Sequence, residues 1–580
     1  MRNLVAPVNT LESVEERIIE FKGLNRKPVV AEGEMSDMWN LTSDNYPLLT
    51  PRRPRLINEL PEGVVRPLHL IAKFGRLGMI AQKSDDSIAF FYDGVEQTSV
   101  YDLTTASESV AINTKICFFP QKTYLEIRQE AGSVVIGDYK SLEASFNNGG
   151  GIAASVTISN TEARINLGQS HGFAYDDVVQ FEGTVDYEDT QGTRHENVEF
   201  KQTALIDNVD GNTLVMAPEI FTAVTGVNAS NITFTGRIDR TMPDIDLVIE
   251  WNNRLWAASN SDNTIYASKL GDPTNWQYFQ GTSLDSYYAQ QGTDERFTGI
   301  AQYSGHIIFF KPDSMCRIYG TAPSNYQLTN TKCYGVEDGS RQSIVTINDT
   351  VFYKSEIGIM AYDGGVPYLI SDKFAASFKY VVAGTEGYKY YASCLVSKEG
   401  SAESALMVLD IEKGMWHKED DMRIVAACTM DNKLYCGTTN GVLLTCGVAV
   451  LCDEFLMCGT DQLGGSITVV NPTTPSEETS NMEWMAVFGP FDEYIEQHKI
   501  YSKLAMRLQA YDQGSRVKTY ISIDEGEWEQ VDDRIVSTMG DFIPIVPRRC
   551  DRYSVKLEGI GKSGIKSLTR KVRQGSFGRL

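Results

Sequence analysis

Asp244–Phe279 reads DIDLVIEWNNRLWAASNSDNTIYASKLGDPTNWQYF. Apolar and aromatic residues at Leu247, Ile249, Trp251, Leu255, Ala257, Ile265 and Ala267 recur at period two. That is the pattern of antiparallel strands with buried faces. The spacing predicts strand, Asn252-Asn253 turn, strand, polar turn, strand, then a loop closed by Gly271-Asp272-Pro273 and Trp276. Trp251 falls on the alternating apolar face and Trp256 on the opposite one, so each is expected to pack against a neighbouring sheet.

Weaker echoes follow downstream. LWAAS, IIFFK, VFYKS, YYASC and LYCGT begin at Leu255, Ile307, Val351, Tyr390 and Leu434, with steps of 52, 44, 39 and 44 residues. Four of them follow a turn pair: Asn252-Asn253, Ser304-Gly305, Asn348-Asp349 and Asp431-Asn432. A period near 40–50 residues with four strands per unit is the signature of a β-propeller. The strands LHLIAKFGRLGMIAQ, SIAFFYDGV and KICFFPQKTYLEI within 58–138 supply a first blade, which makes about six in all. An irregular multi-sheet β protein is the competing architecture.

At 580 residues the chain exceeds what one hydrophobic core serves. The fold expected is all-β: a propeller with an inserted β domain and a C-terminal β-sandwich. Residues 1–57 read as a helix over 9–21, with a stripe of Leu11, Val14, Ile18 and Phe21, followed by an extended arm through Pro51-Arg52-Arg53-Pro54-Arg55 laid along another surface. Residues 58–138 begin the propeller, and 139–240 break its rhythm as an inserted all-β domain with a hairpin signal at Asp210-Gly211. Residues 241–458 resume the propeller, 459–482 form a linker and 483–580 the sandwich.

Net charge is −23, which argues against tight wrapping of nucleic acid. It fits either simple solubility or a surface that faces DNA without holding it. The opening residues lack the apolar region of a signal peptide, and no run of about 18 apolar residues predicts a membrane span. The ten cysteines include no CxxC, and the spacing by six of Cys446, Cys452 and Cys458 suits no common zinc site. They read as small buried hydrophobes.

Chemical motifs are weak. Gly559-Ile560-Gly561-Lys562-Ser563-Gly564 matches GxGxxG in letters, but a strand-like segment follows it, so it reads as a hairpin loop. Asp207–Gly211 resembles the start of a calcium loop but lacks the closing Glu. His69, His171, His195, His306, His417 and His498 form no i, i+4 pair. Acidic groups at Glu412, Glu419, Asp420 and Asp421, and at Asp285, Asp294 and Glu295, would serve a glycosidase only if two converged on one pocket. No catalytic, cofactor-binding or metal-binding residue is assigned, and the chain is expected not to be an enzyme. Lys562, Lys566, Arg570, Lys571, Arg573 and Arg579 form a basic end that, with Arg52, Arg53 and Arg55, contrasts with the acidic bulk and suits either acidic neighbouring subunits or, for the last few residues, a solvated end.

WNNRLWAASNSDNTIYASKLGDPTNWQYF resembles the propeller segment of tail-hub or nozzle proteins of tailed bacteriophages, a group that includes the packaged-DNA stabilisation proteins. NLTSDNYPLLTPRRPR and RRCDRYSVKLEGIGKSGIKSLTRKVRQGS are similar to their flanking regions. The resemblance implies a structural virion protein, made in the host cytoplasm and assembled into a homohexameric ring below portal and adaptor. Such a ring continues the DNA channel, lets double-stranded DNA pass without specific binding, and helps retain it until ejection. An acidic lumen would suit that passage. The alternatives are a propeller-based receptor- or glycan-binding tail component and, behind it, a glycoside hydrolase.

Overall fold

The computed structural model describes residues 13–149, 153–293, 295–374, 376–398, 401–439, 465–469, 482–492, 499–510, 514–536, 541–543 and 546–574. The chain is all-β; among the described residues the only α-helix is Glu219–Thr225. It divides into two compact units: Arg76–Ile80 with Ser87–Gly335, and Met1–Gly75 with Ala81–Asp86 and Val336–Leu580.

The first unit holds three four-stranded antiparallel sheets, each with its strands in sequence order. Sheet II is Glu108–Ile112, Lys115–Phe119, Thr123–Glu130 and Ser133–Ser141. Sheet III is Leu247–Trp251, Arg254–Ser259, Thr264–Ala267 and Tyr287–Gln290. Sheet IV is Gly299–Tyr303, His306–Lys311, Ser314–Tyr319 and Gln327–Lys332. The first strands of II, III and IV lie side by side in that order.

The second unit holds three more. Sheet V is Val345–Ile347, Thr350–Ser355, Gly358–Tyr362 and Tyr368–Leu369, and sheet VI is Phe378–Glu386, Lys389–Lys398, Ser401–Asp410 and Met415–Lys418. Sheet VII combines Ile424–Met430, Lys433–Thr439 and Gly465–Val469 with a fourth strand from far upstream, Leu56–Asn58. The first strands of V, VI and VII again neighbour one another, and Val64–Lys73 packs beside VII. That strand opens sheet I, which continues with Arg76–Lys83, Ile88–Tyr92 and Val95–Glu96.

Local chemistry sets these hairpins. Asn252 and Asn253 have φ of 51° and 58°, and Asp431 and Asn432 repeat the same values. Two successive left-handed residues make the turn whose twist matches that of the flanking strands. This turn also corrects the placement of the tryptophans. It pairs Trp251 with Arg254 and Ile249 with Trp256, so residues of opposite parity across the turn share a face. Trp251 and Trp256 lie on one face, ring centroids 5.9 Å apart, in a core with Phe309 and Ile318. Leu255 and Ala257 face the other way, toward Trp276 and Cys117.

The insertion is a closed six-stranded barrel. Ala154–Ile158, Ala163–Asn166, Thr213–Met216, Arg194–Asp210, Val178–Glu188 and Ser230–Arg240 pair in that cyclic order, the last strand returning to the first. Closure pairs these six strands in a ring, and a seventh, Ala144–Asn147, adds to Ser230–Arg240 outside it. Phe181, Phe200, Phe221 and Phe234 fill its interior, with Phe221 supplied by the helix. Gly183 pairs with Gly236, and a Cβ on Gly183 would lie 2.2 Å from the Thr235 carbonyl oxygen. Only glycine permits that approach of backbones.

The remaining strands form two facing sheets. One joins Ser13–Ile18, Ser563–Gln574 and Lys499–Ala510, with Asp541–Ile543 and Arg548–Cys550 on its far side. The other orders Gly23–Leu24, Glu34–Trp39, Glu483–Phe491, Tyr553–Ile560, Arg516–Ile523 and Glu529–Ile535. They share a core containing Ile18, Met38, Phe488, Leu504, Val555 and Leu568. GIGKSG is the hairpin between Tyr553–Ile560 and Ser563–Gln574; the indole of Trp484 occupies the space a side chain on Gly559 would need.

Several sequence expectations change. Residues 13–18 are a strand, not part of a helix over 9–21; residues 9–12 lie outside the described residues. A short helix with one apolar stripe is marginal, whereas pairing with Ser563–Gln574 satisfies the backbone along the whole segment. The arm over 24–57 is laid along the chain's own sheets: it threads through the second sheet of the sandwich and then completes sheet VII. Among the described residues there are seven four-stranded sheets where about six were expected, because 58–138 holds both I and II. The linker over 459–482 contains a strand of sheet VII, Gly465–Val469; its other residues, except 482, lie outside the described residues.

Candidate functional site

The loop from Ser268 to Ser286, which carries GDPTNW, is built around one buried cation. Arg254 is 2% exposed. Its guanidinium donates to the carbonyl oxygens of Ser268 (2.7 Å), Ser283 (2.7 Å), Asp285 (2.6 Å) and Leu284 (3.3 Å). The planar fork of arginine suits such a fan of acceptors. Burial pushes its pKa down, with Tyr326 and Asp285 opposing. Around it the loop closes on itself: Trp276 Nε1 donates to Pro273 O at 2.8 Å, and Asp272 caps Thr274. Asp285 accepts from the Gly281 and Thr282 amides.

The same loop grips the inserted barrel. Lys269, 4.1 Å from the Tyr278 ring centroid, makes a 2.7 Å ion pair with Asp176, and Asn275 Nδ2 donates to the Asp176 carbonyl at 2.7 Å. Gln180 meets Gln277 at 2.8 Å. At the barrel's root, Arg240 and Asp177 form a 2.5 Å pair in which both side chains are buried, and Arg240 also donates to Leu142 O. These contacts make a joint that fixes the barrel against sheet III. Lys269→Met is expected to weaken it by about 1–3 kcal/mol, read as faster hydrogen exchange over 174–177 with the barrel core strands unchanged.

A second constellation anchors the arm. Arg55, 5% exposed, donates to Glu419 at 2.6 Å and also pairs with Asp420. Arg52 lies 3.4 Å from Asp420 and donates to Asn40 Oδ1 at 2.8 Å. The Asn40 amide donates to the Glu419 carbonyl, Ser43 Oγ to Asp410 at 2.5 Å, and Lys389 to Thr42 at 2.9 Å and to Asp44. His417 is 1% exposed, its Nε2 3.6 Å from Glu419 Oε1. Burial raises the Glu419 carboxyl, but His417, Arg55 and Arg52 outweigh it and hold the group well below the usual carboxylate range. The next residues, Leu56–Asn58, are the strand that completes sheet VII. The cluster is an ionic clasp for that strand.

The acids weighed from sequence do not converge. Asp285 belongs to the Arg254 loop, and Glu419 and Asp420 to the clasp. Glu412 pairs with Lys413. Asp421 is exposed, and Asp294 lies outside the described residues. Glu295 hydrogen-bonds Asp313, which raises its pKa and lowers that of its partner. This pair lines an open groove of about 560 Å³ on sheet IV, with Gln291, Asn330 and Lys332.

The histidines are dispersed. His171 stacks on Phe173, His195 on Tyr187, and His306 lies between Tyr303 and Tyr319; His498 lies outside the described residues. Asp207–Gly211 is the end of a strand and a turn. Cys117, Cys316, Cys394, Cys436 and Cys550 are buried thiols, whereas Cys446, Cys452 and Cys458 lie outside the described residues. Among the described residues no three His, Cys, Asp or Glu gather as a metal site, and no helix is long and apolar enough to cross a membrane. Sequence reading missed Arg254, and it placed Arg52 and Arg55 in a basic patch for neighbouring subunits, whereas both are buried in the intrachain clasp. A lone arginine inside an apolar strand pattern is the signal that could have flagged Arg254.

No family model and no curated protein matches the sequence. Among solved structures, the endosialidase of phage phi92 aligns over 79% of this chain and 77% of its own, at 9% identity and a TM-score of 0.29. PorZ, a surface component of the type-IX secretion system of Porphyromonas gingivalis, aligns over 89% and 78%, at 11% identity and a TM-score of 0.25. Apo AztD from Citrobacter koseri aligns over 64% and 90%, at 10% identity and a TM-score of 0.25. Likenesses this remote assign no function.

Proposed function

We propose that the seven four-stranded sheets are the blades of a β-propeller, and that the chain is a structural tail protein of a tailed bacteriophage, a nozzle or hub subunit. The observation that supports the propeller most is the order of the sheets. Each blade except the last takes its four strands consecutively, first strands neighbour one another in each series, and Leu56–Asn58 completes the last blade. Propellers close their ring by such an exchange of chain ends, which leaves only short protected edges.

The phage reading rests on the resemblance carried by Trp251–Phe279 and the flanking segments. Their structural use agrees with a scaffold role: GDPTNW braces a joint, and PRRPR supplies the clasp. The subunits assemble into a ring that continues the DNA channel below portal and adaptor, and the net charge of −23 keeps DNA sliding instead of bound. Negative-stain imaging of the chain incubated with the portal–adaptor complex tests this. Closed rings coaxial with the portal are expected; side-mounted particles, or glycan-dependent attachment without rings, would reverse the conclusion.

A further inference from the structure

Residues 483–580 carry 16 Lys and Arg against 14 Asp and Glu, so a region of net +2 sits in a chain of net −23. The sandwich sheet formed by Ser13–Ile18, Ser563–Gln574 and Lys499–Ala510 concentrates this charge. Its inward residues are Leu504, Met506, Leu508, Leu568 and Val572, all buried. Its outward rows follow from register. Arg573 lies opposite Ile500, which lies opposite Arg549. Lys571 lies opposite Lys503 on one side and Glu15 on the other. Thr569 lies opposite Arg17, and Arg507 follows two residues after Ala505. The face therefore presents Arg17, Lys503, Arg507, Arg549, Lys571 and Arg573, and among its described side chains one carboxylate, Glu15, 3.5 Å from Lys571.

Arg17, Arg507 and Arg573 are exposed cations on one sheet face, a like-charge surface that is unfavourable on its own. It becomes favourable against an anionic surface. We infer that this cationic sheet face docks on the acidic body of a second copy of the same chain. Copies of net −23 repel one another at long range, and a local patch of opposite sign is what allows them to meet in register. Contact between two different patches is head-to-tail, the geometry that closes into rings. A nucleic acid would face the same long-range repulsion from the acidic remainder of the chain. The inference names the self-contact of the ring proposed above and rests on that reading.

The test is sedimentation velocity on the full chain at 50 and 500 mM NaCl, for wild type and for the exposed-face variant Lys571→Glu/Arg573→Glu, with circular dichroism to confirm that the variant is folded. Wild type is expected to self-associate at 50 mM NaCl and about tenfold or more weakly at 500 mM, where the Debye length shrinks to a few ångströms. The variant is expected to associate at least about tenfold more weakly at 50 mM, and the charge-keeping Lys571→Arg to behave as wild type. Rings that form equally well from the variant overturn the inference and leave the ring reading standing. A wild type that stays monomeric at both salts overturns it too, and the nozzle reading is then decided on the virion. Binding of a 30-base-pair DNA duplex that the variant loses would reassign the face to nucleic acid.

Discussion

Arg254→Met is expected to lower the stability of the unit containing sheet III by about 3–5 kcal/mol, the range for breaking a buried charged network. The substitution keeps the side chain's bulk and removes the donors. Four carbonyl oxygens, of Ser268, Ser283, Leu284 and Asp285, then lose a charged donor, at a site 2% exposed. Each buried acceptor left without a donor costs about 1–3 kcal/mol, and partial entry of water keeps the total below the sum. Arg254→Lys restores the charge but not the fork, so it is expected to recover less than half of the loss. Urea unfolding followed by tryptophan fluorescence suits the measurement, because Trp251, Trp256 and Trp276 all lie in cores adjoining the loop. The accompanying sign is early proteolytic cleavage between residues 268 and 286. An Arg254→Met protein with wild-type stability would mean that the carbonyl cage contributes nothing net.

Arg55→Met has the second large effect and a diagnostic pH dependence. In the wild type, the folded pKa of Glu419 lies below its unfolded value. A carboxyl with a depressed folded pKa contributes stability that is complete above its unfolded value of about 4.3 and is lost as pH falls through the folded value. Between pH 5 and 8 the clasp is thus insensitive to pH through this group. Without Arg55, Glu419 keeps His417 and Arg52 but loses one of the cations that offset its burial, so its folded pKa rises toward the unfolded value. The sign is kept with a smaller depression: the variant's stability stays flat from pH 5 to 8, and Glu419's contribution is lost at a higher pH than in the wild type as acid is added. The loss at pH 8 is expected to be about 3–5 kcal/mol, and Glu419→Gln in the Arg55→Met background should recover part of it. Hydrogen exchange locates the effect. Protection should drop at Leu56–Asn58 and Gly465–Val469, the two strands the clasp holds together, while the sandwich core stays protected.

These two arginines show where sequence reading succeeds and where it stops. The strand pattern of Asp244–Phe279 was legible because both its period and its turn are local: alternation sets the strands and Asn252-Asn253 sets the hairpin. An inserted β segment was legible because the repeat lapses there, although its expected start at 139 falls inside the last strand of sheet II, Ser133–Ser141. The parity of Trp251 and Trp256 was misplaced because a two-residue turn pairs odd with even positions, and that requires following the register across it.

The segment 13–18 was misplaced for a different reason. Its apolar spacing suits both a helix and a strand, and the partner that decides lies more than 500 residues away in sequence. The same holds for the clasp. Nothing near Arg55 predicts Glu419 and Asp420, which are 364 and 365 residues away. Long-range pairs of this kind carry no local pattern, so a chain in which residues 13–58 strap distant sheets together conceals its anchors.

The most direct test of the central claim is a reconstruction of the virion that carries this protein. Density for the chain is expected as a closed ring on the tail axis below portal and adaptor. Each subunit should show seven four-stranded blades, a six-stranded barrel and a sandwich whose cationic face meets the neighbouring subunit. Density for the chain at the tip of a fibre or spike, or its absence from the particle, would contradict it.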